Sequence, residues 1–175
     1  MADQEIPDCD NEPDGSMHCG TVYPGTYLIS VWGNQIPGYY LKSVMLGDQD
    51  VRFQQVTLDR GAYIRAIYRP NAARVLGSVE GGAGAVAVLL DADQSREDAF
   101  QAVRVTRCDA EGRFSFEGLY PASYYAFAFV PNGNVETGAL RAAAFALGLK
   151  EQAQLLRLNE GDNVTLNLKL LAFPE

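Results

Sequence analysis

From residue 21 onward the chain runs in short apolar or alternating stretches, each ended by turn-forming residues within eight to fifteen positions. Eleven stretches stand out: 26–32, 39–46, 54–58, 63–68, 74–79, 85–90, 102–107, 113–117, 124–130, 154–158 and 164–171. Their length, punctuation and richness in Val, Tyr, Phe and Leu predict strands of a sandwich or barrel. In the last one, Val164, Leu166, Leu168 and Leu170 alternate with Thr165, Asn167, Lys169 and Leu171. That period of two sets one face on a core and the other nearer water. Gly47-Asp48, Asp109 to Gly112, Pro131-Asn132-Gly133 and Glu160-Gly161-Asp162 supply the turn chemistry between strands.

One stretch departs from this pattern. Residues 137–150 are dense in Ala and Leu, and Leu140, Ala143, Ala144 and Leu147 share one helical face ahead of Gly148. The spacing predicts a single short crossover helix packed against one end of the sandwich.

The chain also repeats itself. Tyr23-Pro24-Gly25-Thr26-Tyr27 returns about a hundred residues later as Tyr120-Pro121-Ala122-Ser123-Tyr124, each followed by an apolar run. Residues 44–51 similarly resemble 156–164. The expected organisation is a flexible acidic head (1–20), a partial sandwich module equal to the second half of a repeat (21–60) and a complete module (61–175). A half-module leaves apolar area and sheet edges uncovered, so association through residues 21–60 is expected, with a second copy or a neighbouring module.

The run from Cys108 to Tyr124 contains Asp109-Ala110-Glu111-Gly112-Arg113-Phe114-Ser115-Phe116 and then Leu119-Tyr120-Pro121-Ala122-Ser123-Tyr124. It resembles the D-x-x-G-x-F-x-F and L-x-P-G-x-Y signature of carboxypeptidase regulatory-like and Cna-B-like domains. Upstream, residues 73–79 and 84–91 are similar to that family's opening strands. The resemblance implies an all-β, Greek-key, two-sheet sandwich of transthyretin (prealbumin) type. It also implies a non-catalytic role in protein association or ligand presentation within a secreted, multi-module bacterial protein. Ala122 departs from the family's glycine, which Gly25 keeps. Some relatives form a Lys isopeptide promoted by a Glu after this motif; residues 125–129 carry no acid, so none is expected here.

Charge narrows the partners. A net charge of −8, with 14 scattered basic residues, disfavours nucleic acid, which binds through clustered Lys and Arg. No apolar run approaches the roughly 20 residues of a membrane-spanning helix. Residues 1–5 have neither a basic stretch nor an apolar core, so no signal peptide is expected in this sequence. The extracytoplasmic address therefore follows from the resemblance.

Candidate chemistry is sparse. The single histidine, His18, leaves a Ser or Cys triad without a base, and no enzyme is expected. Paired acids such as Asp91 with Asp93 read as solvated loop carboxylates. No cofactor is expected. Trp32, Asn34, Gln35, Tyr39 and Tyr40 form the best candidate ligand surface, because aromatic faces beside amides can stack on a sugar ring; a carbohydrate-binding module is the alternative function. Asp8, Asp10, Glu12 and Asp14 with Gly15 partly match a calcium loop, but Thr21 stands where a bidentate Glu belongs. A calcium-dependent hydrolase is the third reading. Cys9 and Cys19, ten positions apart, are compatible with a disulfide and equally with two free thiols.

Overall fold

The structure, a computed structural model, describes residues 9–11, 17–19, 23–29, 31, 36–52, 54–59, 62–93, 103–131 and 152–171, with backbone alone for the first two segments. Every regular element among them is a strand. The helix expected over 137–150 lies outside the described residues.

Among the described residues seven strands build the C-terminal unit: β8 (Ala73–Val79), β9 (Val86–Asp91), β10 (Val103–Arg107), β11 (Arg113–Leu119), β12 (Ser123–Phe129), β13 (Gln154–Arg157) and β14 (Asn163–Leu168). They divide into two sheets, in the orders β11-β8-β14 and β10-β9-β12-β13. A two-residue strand, β15 (Leu170–Leu171), runs parallel to β12. The architecture is thus that of a β-sandwich.

Between the sheets lies a core of Val75 and Val79 from β8, Ala87 and Leu89 from β9, Phe114 and Phe116 from β11, Tyr124 from β12, and Leu166 and Leu168 from β14. Phe114 and Phe116 sit on one strand face with ring centroids 5.8 Å apart, edge to face. Each such side chain removed from water contributes on the order of 1.5–3 kcal/mol before ordering costs. The opposite face of β9 is buried as well: Val86, Val88 and Leu90 join Val103, Phe127 and Phe129 in a second cluster. A strand apolar on both sides reads as a continuous run without alternation, which is what residues 85–90 show.

Two local devices shape the sandwich. Asp109 caps the turn into β11: its Oδ1 accepts from the backbone N–H of Glu111 (3.0 Å) and Arg113 (2.8 Å), and its Oδ2 from Arg113 Nε (2.8 Å). Gly112 closes that turn at φ 76°, where a Cβ would also lie 2.6 Å from the Val79 carbonyl. At the far end, the alternation predicted over 164–171 breaks at Lys169. β14 pairs with β8 in one sheet, whereas β15 crosses to β12 in the other, so Leu170 faces water and Leu171 joins the second cluster.

The N-terminal unit is smaller. β3 (Gly25–Leu28) pairs with β6 (Gln55–Leu58), and β4 (Tyr39–Leu46) is flanked by β5 (Gln49–Asp50) and β7 (Ile64–Pro70). Val44, Val51 and Val56 form its compact core, with Leu41, Leu46, Leu58 and Ile64 against them. The β7 strand, expected with the C-terminal module, thus pairs with β4 of the N-terminal one. Ahead of this unit, β1 (Cys9–Asn11) and β2 (Met17–Cys19) form a separate antiparallel ladder.

The repeat has a structural counterpart. Tyr27 donates its hydroxyl to the Tyr23 carbonyl, and Tyr124 donates to the Tyr120 carbonyl at 2.7 Å. Both copies therefore build a tyrosine corner, in which a side chain pins the chain entering its strand. The second correspondence, 44–51 with 156–164, differs in pairing: β4 and β5 make a hairpin within one sheet, while β13 and β14 lie in different sheets.

Candidate functional site

The most elaborate side-chain arrangement among the described residues is the junction between the two units. The chain passes from β7 to β8 through Asn71, the one described non-glycine residue with positive φ (64°). Asn tolerates this left-handed conformation better than most residues. Its carbonyl accepts from Gly161 N–H at 2.7 Å, and the next residue, Ala72, donates to the Gly38 carbonyl at 3.0 Å. The linker is therefore bonded to both units.

Tyr40 is the centre of the junction. From β4 it turns inward, and only 3% of its surface is exposed. Its ring meets Tyr120 edge to face, with centroids 5.6 Å apart at 70°. Its hydroxyl donates to Glu160 Oε1, in the turn between β13 and β14. Arg52 covers the Tyr120 ring, its guanidinium carbon 4.3 Å from the centroid, and donates from Nη1 to the Leu41 carbonyl at 2.9 Å. A cation over an aromatic face is attracted by the ring quadrupole.

Burial, the hydrogen bond to Glu160 and that residue's negative charge together push the Tyr40 phenol up to about 12, against a smaller opposing pull from Arg69. The phenol is a neutral donor through the physiological range. Donor, carboxylate, rings and cation engage one another, so the chemistry available here is adhesion between two β units. The Cys108 thiol is pushed up by burial and then by the charge of Asp109, which removes it from thiolate chemistry near neutral pH.

The residues anticipated as a ligand surface divide. Tyr39 is 40% exposed, while its neighbour Tyr40 faces the junction; Trp32, Asn34 and Gln35 lie outside the described residues. Of the anticipated cation ligands, Asp10 stands on β1 opposite His18, and Asp8, Glu12 and Asp14 lie outside the described residues. No group of three or more acidic, His or Cys side chains suited to a metal occurs among the described residues. Leu46, Gly47, Asp48, Ala62, Tyr63 and Arg65 line a shallow, open hollow at one end of the N-terminal unit.

Sequence reasoning missed Tyr120, Arg52 and Glu160 as partners of Tyr40. The available signal for Tyr120 was its place in the repeated corner motif; for Glu160 it was a turn read only as a turn. Compared with known proteins, the chain matches no family model and no curated protein.

Proposed function

We propose that this chain is a non-catalytic structural and binding module that mediates protein association in an extracytoplasmic bacterial protein, through its N-terminal unit. One observation carries the reading. Of the ten large apolar side chains exposed among the described residues, six belong to residues 23–63: Tyr23, Leu28, Val31, Ile36, Tyr39 and Tyr63. The N-terminal unit uses its Tyr40 face to dock on the sandwich and still presents these groups to water. Exposed apolar surface of this kind favours burial against a protein partner.

The finer fold reading is a Greek-key sandwich of transthyretin or carboxypeptidase-regulatory-like type. It is supported by the sheet orders, in which the first, fourth and seventh strands form one sheet and the second, third, fifth and sixth form the other. Domains of this kind serve as spacers and binding modules, consistent with a junction built from packing contacts.

Light scattering across a range of concentrations tests the reading. The expected result is a mass about twice 19.0 kDa, reverting to 19.0 kDa in a Tyr23→Ser, Tyr63→Ser double variant. A wild-type chain that stays at the single-chain mass at every concentration, and binds no neighbouring module, sinks it.

A further inference from the structure

The strands β1 and β2 run antiparallel with Cys9 opposite Cys19, Asp10 opposite His18 and Asn11 opposite Met17. This ladder is a sheet of its own and pairs with no other described strand. Three residue pairs alone are marginal in water, because a two-stranded ladder has no third strand to complete it.

We propose that a disulfide between Cys9 and Cys19 closes this ladder. Directly opposed residues of an antiparallel pair have Cα atoms about 4.5 or 5.5 Å apart, depending on whether the pair is hydrogen-bonded. Disulfides take Cα separations of about 4.4–6.8 Å. The register therefore suits the bond in either pair type. Its position suits it too: the cysteines occupy the open end, away from the connecting segment 12–16, so one bond encloses all three pairs in a ring. Cross-linking removes conformations from the unfolded chain and so favours the paired state. The remaining cysteine, Cys108, is buried in the sandwich core.

The chemistry is thiol–disulfide exchange with a small disulfide oxidant such as oxidised glutathione. The thiolate of one cysteine attacks the oxidant, forming a mixed disulfide and releasing one small thiol. The second thiolate attacks the protein sulfur of that intermediate, forming the Cys9–Cys19 bond and releasing the second small thiol. Two protein S–H bonds are lost, one S–S bond forms, and both electrons and protons reside on the two released thiols. An oxidising compartment supplies such an acceptor. The bond does not depend on the association proposed above.

The test equilibrates the full chain with oxidised glutathione, removes it, and denatures the protein with maleimide and no reductant. The expected product carries one maleimide, on Cys108, of three cysteines, and before labelling its mass is about 2 Da below that of the reduced chain. Cleavage by cyanogen bromide at Met17, between the two cysteines, leaves the flanking fragments joined until reductant is added. Cys9→Ser shows no such mass loss, because Cys19 ends as a mixed disulfide with glutathione or takes a second maleimide, and its fragments separate at once. Three maleimides on the wild type, a bridge involving Cys108, or a bond only between two chains would each overturn the proposal.

Discussion

The two tyrosine corners share one local grammar and have opposite surroundings. Tyr23, at the start of the first, is 76% exposed; Tyr120, at the start of the second, lies beneath Tyr40 and Arg52. The strands that follow differ in the same sense. Among the described residues β3 has one ladder partner, β6, and alternates between half-buried and exposed, whereas β12 is paired by β9, β13 and β15 and is buried over its last four residues. A corner motif thus sets the path of the backbone over a few residues. How much apolar surface the next strand hides depends on how many strands surround it.

The largest expected effects probe that difference in surroundings. Val75→Ala, in the core enclosed between the two sheets, should cost about 3 kcal/mol in urea unfolding, whereas Val44→Ala, in the small N-terminal core, should cost about 2 kcal/mol. Equal losses would mean that the two units share one cooperative core and that the contrast drawn from strand neighbours is empty. Next comes Gly77, where β8, β11 and β14 meet: a Cβ there would lie 2.2 Å from the Leu166 carbonyl and 2.4 Å from Phe114 Cζ. Gly77→Ala should destabilise by roughly 1–3 kcal/mol and speed hydrogen exchange along β14, while leaving the β4–β7 ladder protected.

The junction comes next in size of effect. Tyr40→Phe keeps the ring contact with Tyr120 and removes the hydroxyl, with an expected loss of about 1.5 kcal/mol. The phenol's folded value is raised from 10.0 to about 12, so its contribution is complete below pH 10 and is lost as pH rises from about 10 to 12, where the unfolded chain ionises first. Urea unfolding at stepped alkaline pH should fall more steeply for the wild type than for Tyr40→Phe; parallel curves would place the phenol in water. The smallest effect belongs to the exposed Arg74–Glu117 pair, at 3.0 Å. Arg74→Ala should change stability by less than about 1 kcal/mol at moderate salt, and a larger loss would mark a role in packing.

All eleven predicted stretches contain a strand, most within a residue or two at each end, because alternation and turn residues report a strand's own faces directly. The residues 39–46 coincide with β4 throughout. What lay beyond reach was pairing. Nothing in residues 63–68 says that they join β4 rather than β8, since partner choice is settled by contacts distant in sequence. The split of 164–171 was hidden for a related reason: Leu170 continues the alternation, but a change of sheet at Lys169 reverses its burial. At the site, Tyr39 and Tyr40 were visible as aromatics, and a period of two implies that neighbours on a strand face opposite ways. That rule separates them before any fold is known; which of the two turns inward depends on Tyr120 and Glu160, some eighty and one hundred and twenty positions away.

The parallel pairing of β8 with β14 has a mechanical consequence. A pull that enters the sandwich at Ala73 and leaves past Leu168 acts on opposite ends of two strands aligned in the same direction. The six matched pairs from Arg74 with Asn163 to Val79 with Leu168 then carry the load together, in shear, and cannot unzip rung by rung. The sandwich resists a pull best along that seam.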